Sequence, residues 1–223
     1  GKNLVLRKIA GECEKDLKVF KGNLKKQGYI SEVKSVLSEF AQYGVDFERL
    51  DDFMKEVPPE SYLHYKLDDI RTIYEKFEEY LSEKYITKEE MLDVLSDAVP
   101  YSDILKGSVV AMDGFTGFTP VQNRLIGELF SVCEKVMITV TMDGRENPYV
   151  YEHPYQIFAL GKQMVTSLMK IAGEKKTEIE EPICLFERPV YRFRDCSEMA
   201  FLETELFRYS GAKYNGSCES VSL

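Results

Sequence analysis

Asp113 is the residue of this sequence best placed to do chemistry. It ends the uncharged run Ser108-Val109-Val110-Ala111-Met112 and is followed by a turn containing Gly114 and Gly117, and then by Thr119-Pro120. Thr is a good N-cap and Pro suits the first helical position, so the stretch reads as strand, loop, helix. A carboxylate at the carboxyl edge of a buried strand is where nucleotide-binding α/β sheets organise Mg²⁺, because ligands sit beyond the C-terminal ends of parallel strands. Hydrolysis then needs a second group to orient the attacking water. The neighbour here is Gly114, which has no side chain.

The other candidate site is a strip, Leu185 to Arg194, in which Arg188, Arg192 and Arg194 are interleaved with Phe186, Tyr191 and Phe193. The alternation predicts a half-buried strand, and the same arginines are the candidate contacts to a nucleic-acid backbone. Histidine contributes little, since the sequence has only His64 and His153. No Ser-His-Asp set and no carboxylate–lysine nuclease array is visible. The doublets Asp51-Asp52, Asp68-Asp69, Glu78-Glu79 and Glu89-Glu90 fall on helical stretches, where adjacent residues point about 100° apart, so they read as solvent faces rather than catalytic dyads. The tyrosines Tyr62, Tyr65, Tyr74, Tyr80 and Tyr85 read as core or core edge, with stacking on unpaired bases as the alternative.

Apolar periodicity predicts the elements that carry these residues. Leu4, Ile9, Cys13, Leu17, Phe20 and Leu24 recur mostly at steps of four, which predicts one long helix from Leu4 to Gln27, ended by Gly28. Further helices are expected at Ser31–Tyr43 with Gly44 as a left-handed cap, at Phe47–Glu56 before Val57-Pro58-Pro59, and at Tyr62–Lys84. Thr87 to Glu90 has the pattern of a capping box for a helix that carries Met91, Leu92 and Leu95 and stops at Pro100. From Ser108 the pattern changes to strand, then helix Pro120–Val132, then strand Lys135–Thr141, which is a βαβ unit with parallel strands and both carboxyl ends on one edge. A helix from Pro154 to Ala172 closed by Gly173, a charged linker and a helix from Ser197 to Tyr209 complete the reading.

Composition limits the functions open to the chain. It has 223 residues, 44% hydrophobic, and a formal net charge of −9, so contact with nucleic acid must be local. The first 34 residues are the exception, with nine Lys/Arg against four acids, and read as a solvated helix face. No apolar run approaches the ~20 residues of a membrane span, and no basic-then-apolar leader opens the sequence. The five cysteines lie far apart with no C-x-x-C pair, which predicts reduced thiols and a cytoplasmic setting.

Asp113-Gly114-Phe115 with Gln122 resembles motif II of superfamily 1 DNA helicases, which runs Asp-Glu-aromatic-Gln-Asp with a further Gln beyond. Asp113, Phe115 and Gln122 match; Gly114, Thr116 and Gly117 depart from it. Met142 to Tyr149 stands where motif III would lie, with Tyr149 similar and the phosphate-sensing Gln not evident, and Asp143 and Arg145 there read as turn and surface residues. The variant "DGFTGFTP", together with "LVLRKI", "YITKEEMLDVL" and "ELFRY" in order, is similar to AddB, also called RexB, the helicase-like nuclease subunit of bacterial AddAB complexes of double-strand-break repair. The resemblance covers essentially the whole chain and an internal part of a family several times longer.

The resemblance implies an α/β protein in which residues 1–106 form a helical lobe like helicase subdomain 1B. Residues 107–223 would then form a segment like the second half of subdomain 1A, part of a P-loop-type parallel sheet with flanking helices. It implies a degenerate motif II (Asp113, Gly114, Phe115, Gln122) in a core that guides DNA or helps recognise the Chi sequence without driving unwinding. An AddA-like partner subunit and DNA in the full complex are implied as well. Mg²⁺, ATP and a 4Fe–4S cluster belong to the parent family, with the cluster and the nuclease site outside this segment. The readings left beside it are a scaffold that docks the partner subunit and an active NTPase using Asp113.

Overall fold

A computed structural model describes residues 2–23, 26–82, 90–144, 146–185, 191–208 and 210–219. The N-terminal region is helical: α1 (Lys2–Cys13), α2 (Gln27–Tyr43), α3 (Phe47–Glu56) and α4 (Tyr62–Ser82). The long helix expected over Leu4–Gln27 is not one helix. α1 ends at Cys13, the chain turns, and Gly28 lies inside α2 rather than ending its predecessor. The cause is a side chain some fifty residues away. Asp69 of α4 is 1% exposed and accepts the backbone N–H groups of Lys18, Val19 and Phe20 at 2.8, 2.7 and 2.8 Å. Three charge-assisted bonds hold this backbone in a turn, because a helix would spend the same donors internally.

The apolar stripe that suggested a helix still marks the core. Ile9, Cys13, Leu17 and Phe20 are buried with Leu6, Ile30, Leu37, Ile73 and Phe77, whereas Leu4 is exposed. Full burial of an aliphatic side chain such as Leu6 or Ile73 contributes roughly 1.5–3 kcal/mol. Tyr74 sits in this core and its hydroxyl donates to the carbonyl of Val45, while Tyr62 is exposed; Tyr85 lies outside the described residues. Gly44 caps α2 with φ 62°, and Asp46 caps α3 by accepting the Arg49 N–H.

The carboxylate doublets correct the expectation of plain solvent faces. Asp69 is interior, Asp68 pairs with Lys18 Nζ at 2.9 Å, and Asp51 clamps Arg71 through two bonds of 2.5 and 3.2 Å. That guanidinium, through its hydrogen bond first, holds the Asp51 carboxyl below its ordinary value. Glu89 lies outside the described residues, as does the Thr87 cap.

α5 (Glu90–Ala98) runs into a 3₁₀ turn, Val99–Tyr101, at Pro100 as expected. Met91 and Leu95 are exposed, and Ser96 is the residue buried to 1%. Arg124 bonds Asp93 at 2.8 Å and, through its other terminal nitrogen, Asp97.

β1 (Val109–Met112), α6 (Pro120–Val132) and β2 (Lys135–Ile138) form the βαβ unit, with the strands parallel and in register from Val109↔Lys135 to Met112↔Ile138. β2 is shorter than the strand expected to Thr141. α7 (Ala159–Lys175) begins five residues later than expected, because 154–158 form turns that reach helical bonding only at Ala159. Gly173 does not close it. Lys175 bonds Glu128 of α6 at 2.8 Å, which fixes the last turn, and Lys176 takes the left-handed cap at φ 56°. Ile126, Met164 and Leu168 make the core between α6, α7 and the strands, with Met112 and Ile138 packed on it; Ile157 and Leu160, whose spacing with Met164 and Leu168 predicts an inward face, are exposed. Gly127 lies so close to Ile171 that a Cβ would meet its Cγ2 at 3.2 Å.

Two compact units emerge, one of residues 1–142 and 148–179 and the other of residues 143–147 and 180–223. The second holds a 3₁₀ turn, Tyr191–Phe193, and α8 (Ser197–Glu205), which is shorter than the helix expected to Tyr209. Residues 191–193, expected in a strand, form this turn instead, and Phe186 to Val190 lie outside the described residues. Among the described residues the architecture is α/β, mostly helical with a two-stranded parallel sheet, and no helix is long and apolar enough to cross a membrane.

Candidate functional site

Parallel pairing puts the carboxyl ends of β1 and β2 side by side, so Asp113 and Thr139 leave the sheet together. The N–H of Thr139 donates to the Met112 carbonyl at 3.0 Å, and its hydroxyl donates to Asp113 Oδ1. Asp113 is exposed, with this hydroxyl as a neighbour. Gly114 follows at φ 79°, in the left-handed region that L side chains rarely adopt. A glutamate there, as in the helicase motif, would strain this loop. The departure from the motif therefore lies in the backbone as well as in the side chain.

Phe115 is 43% exposed and its ring lies 5.0 Å from that of Phe118. Thr119 caps α6 by a reciprocal box: its hydroxyl accepts the Gln122 N–H at 3.4 Å, and Gln122 Oε1 accepts the Thr119 N–H at 2.8 Å. Gln122 thus holds the loop–helix junction and keeps its carbonyl oxygen within it. Beside this loop lies a groove of about 350 Å³, with Tyr43 and Phe118 as aromatic walls and Asn123, Gln163 and Ser167 as polar groups. The side-chain oxygen of Asn123 is buried without a hydrogen-bond partner among the described residues. Sequence reading missed the groove, because Gln163 and Ser167 on α7 come next to Asn123 only through the packing of two helices.

In the other unit, Arg192 and Arg194 are held by stacking, which is what survives of the expected alternation. Arg194 lies over the Tyr191 ring at 4.7 Å and Arg192 over the Phe193 ring at 5.4 Å, while Asp195 bonds Arg194 at 3.4 Å. Arg188 lies outside the described residues. Asp143, expected at the surface, is instead half-buried and pairs with Arg208 at 2.9 Å; Arg145 lies outside the described residues. The signal for this pair was the basic residue of "ELFRY", which sequence spacing could not assign to a partner.

The described residues do not complete a site for either of the larger groups the family resemblance implies. Among the described residues no three His, Cys, Asp or Glu side chains converge to hold a metal ion, and the free thiols range from buried Cys13 to exposed Cys184 and Cys218. Asp113 offers one carboxylate to a Mg²⁺–nucleotide but brings no glycine-rich phosphate cradle with a lysine.

Comparison with known proteins adds the following. The family model described as "ADDB, N-terminal" matches residues 1–203. An ATP-dependent helicase/deoxyribonuclease subunit of Lachnoclostridium phytofermentans is 36% identical over the whole chain, which spans 20% of that protein. The proteins of the same name from Thermoanaerobacter pseudethanolicus and Clostridium acetobutylicum are 34% and 30% identical, again over the whole chain and 19% of their own length. The chain spans about one-fifth of the length of these curated relatives.

Proposed function

The chain belongs to the ADDB N-terminal family, and on that premise we propose that it is part of a helicase/deoxyribonuclease subunit, where it acts as a helicase-like core that guides single-stranded DNA, or helps recognise Chi, without hydrolysing ATP. The carrying observation is the strand edge at Asp113. Its carboxylate takes the Thr139 hydroxyl, and the next residue is a left-handed glycine rather than an acid. Removing the group that orients water costs orders of magnitude in turnover. What remains there is aromatic and amide-rich: Phe115, Phe118, Tyr43, Asn123 and Gln163 offer stacking faces and paired donors and acceptors suited to an unpaired base. Arg192 and Arg194 offer charge for a phosphate backbone in an otherwise acidic chain.

In this reading the two strands belong to a P-loop-type sheet of the superfamily 1 kind. The whole protein works in the cytoplasm in double-strand-break repair by homologous recombination, with an AddA-like protein as partner. Its Mg²⁺, ATP and 4Fe–4S sites lie in other parts of the assembly. If bound at this edge, a nucleotide's Mg²⁺ would find Asp113 alone, and the chemistry such an ion supplies is charge neutralisation at phosphate oxygens.

The test is binding of a labelled single-stranded oligonucleotide at several salt concentrations, for the chain and for Arg192→Ala/Arg194→Ala. The expected result is salt-sensitive binding whose log–log slope falls by about 1.4 when two phosphate contacts are lost. Absence of binding even at low salt would overturn the DNA-guiding role. It would favour the scaffold reading, which the word "subunit" in the relatives' names supports.

A further inference from the structure

On α5, Ser96 is buried, and Arg124 of α6 bonds Asp93 and Asp97 at the exposed edge of the contact between the two helices. At about 100° per residue the opposite side carries Met91, Val94, Leu95 and Ala98. Met91, Val94 and Leu95 are 57%, 52% and 44% exposed, and the chain that follows adds Tyr101 at 87% and Ile104 at 89%. A helix whose outer side met water would carry the reverse pattern. Exposed apolar residues are common singly, but a continuous stripe on one helix marks a surface that another body covers.

We infer that this stripe is the docking surface for another segment of the same polypeptide, one lying outside these 223 residues. Three observations favour that occupant. The stripe is apolar and carries no charge, as permanently covered faces do more than transient ones. The curated relatives have room for it, since about four-fifths of their length lies beyond the matched chain. The sheet beside α6 is short of cover in the same sense: Val109 and Met137, on one face of the parallel pair, are 57% and 43% exposed, whereas parallel sheets are buried on both faces. The inference rests on family membership and not on DNA binding, so the oligonucleotide test can fail while this one succeeds.

Hydroxyl-radical footprinting tests it, by following oxidation of Met91, Leu95 and Tyr101 in the chain alone, in the full-length protein that carries it, and in that protein with its partner. The expected result is a several-fold loss of oxidation in the full-length protein alone, with no further loss when the partner is added. Protection that appears only with the partner would overturn the inference and assign the face to the other subunit. Protection in the chain alone that vanishes on dilution would overturn it in favour of a second copy. No protection in any state would overturn it outright. Leu95→Asp supplies a second readout: it should lower the thermal midpoint of the full-length protein by several degrees and leave that of the chain alone unchanged, and an equal effect on both would contradict the inference.

Discussion

Asp69 and Asp113 each stand where backbone turns, and their surroundings differ in nearly every respect. Asp69 is closed off from water and accepts three backbone N–H groups from residues about fifty positions earlier. Asp113 is open, at the end of a strand, with a single threonine hydroxyl bonded to it. The first carboxylate is committed to holding the helical region together. The second is available to a ligand, and its loop can change without loss of the core. A carboxylate in a turn is thus not informative by its type; its donors and its exposure separate the carboxylate committed to the core from the open one.

The comparison can be broken from either side. The largest effect belongs to Asp69→Ala, which strands three N–H donors in the buried turn and should cost on the order of 3–5 kcal/mol in denaturant unfolding. Asp69→Asn retains one acceptor and should cost less. A cost within experimental error would show that the turn is held by packing alone. Next comes Gly114→Glu, which restores the helicase acid at a left-handed position and should destabilise by roughly 1–2 kcal/mol while adding no ATP turnover. Asp113→Ala and Thr139→Val, at the open edge, should each stay within about 0.5 kcal/mol of the parent; a loss as large as that of Asp69→Ala would erase the distinction.

The smallest effect concerns pH. Because Arg71 holds Asp51 below its ordinary value, the folded chain binds that proton less tightly than the unfolded chain. The contribution is therefore in place above the carboxyl's unfolded pKa and is lost as pH falls through the folded one. Both groups are near the surface, so the effect is screened. Urea midpoints taken from neutral to acid pH should fall slightly less steeply in Arg71→Ala than in the parent, and parallel curves would contradict the assignment.

Local signals in the sequence carried much of the fold. α3 and α6 have the bounds that Pro58, Pro120, Thr119 and the apolar spacing imply, Gly44 is the expected left-handed cap, and the strand–helix–strand unit is parallel. The failure over Leu4–Gln27 has its cause far away in sequence. The spacing of Ile9, Cys13, Leu17 and Phe20 persists across a turn, because each side chain still enters the same core; only Asp69 reveals that the backbone there is not helical. At the candidate site, Asp113, Gly114 and Phe115 were legible from their order alone, whereas Thr139 required strand register, and Asn123 with Gln163 required two helices to meet.

The most direct measurement of the central claim is DNA-stimulated ATP turnover by the full-length protein without its partner, for the parent and for Asp113→Asn. Both should remain at background, since the strand edge lacks the group that orients water. Turnover by the parent that is abolished in Asp113→Asn would contradict it and make Asp113 part of a working ATPase.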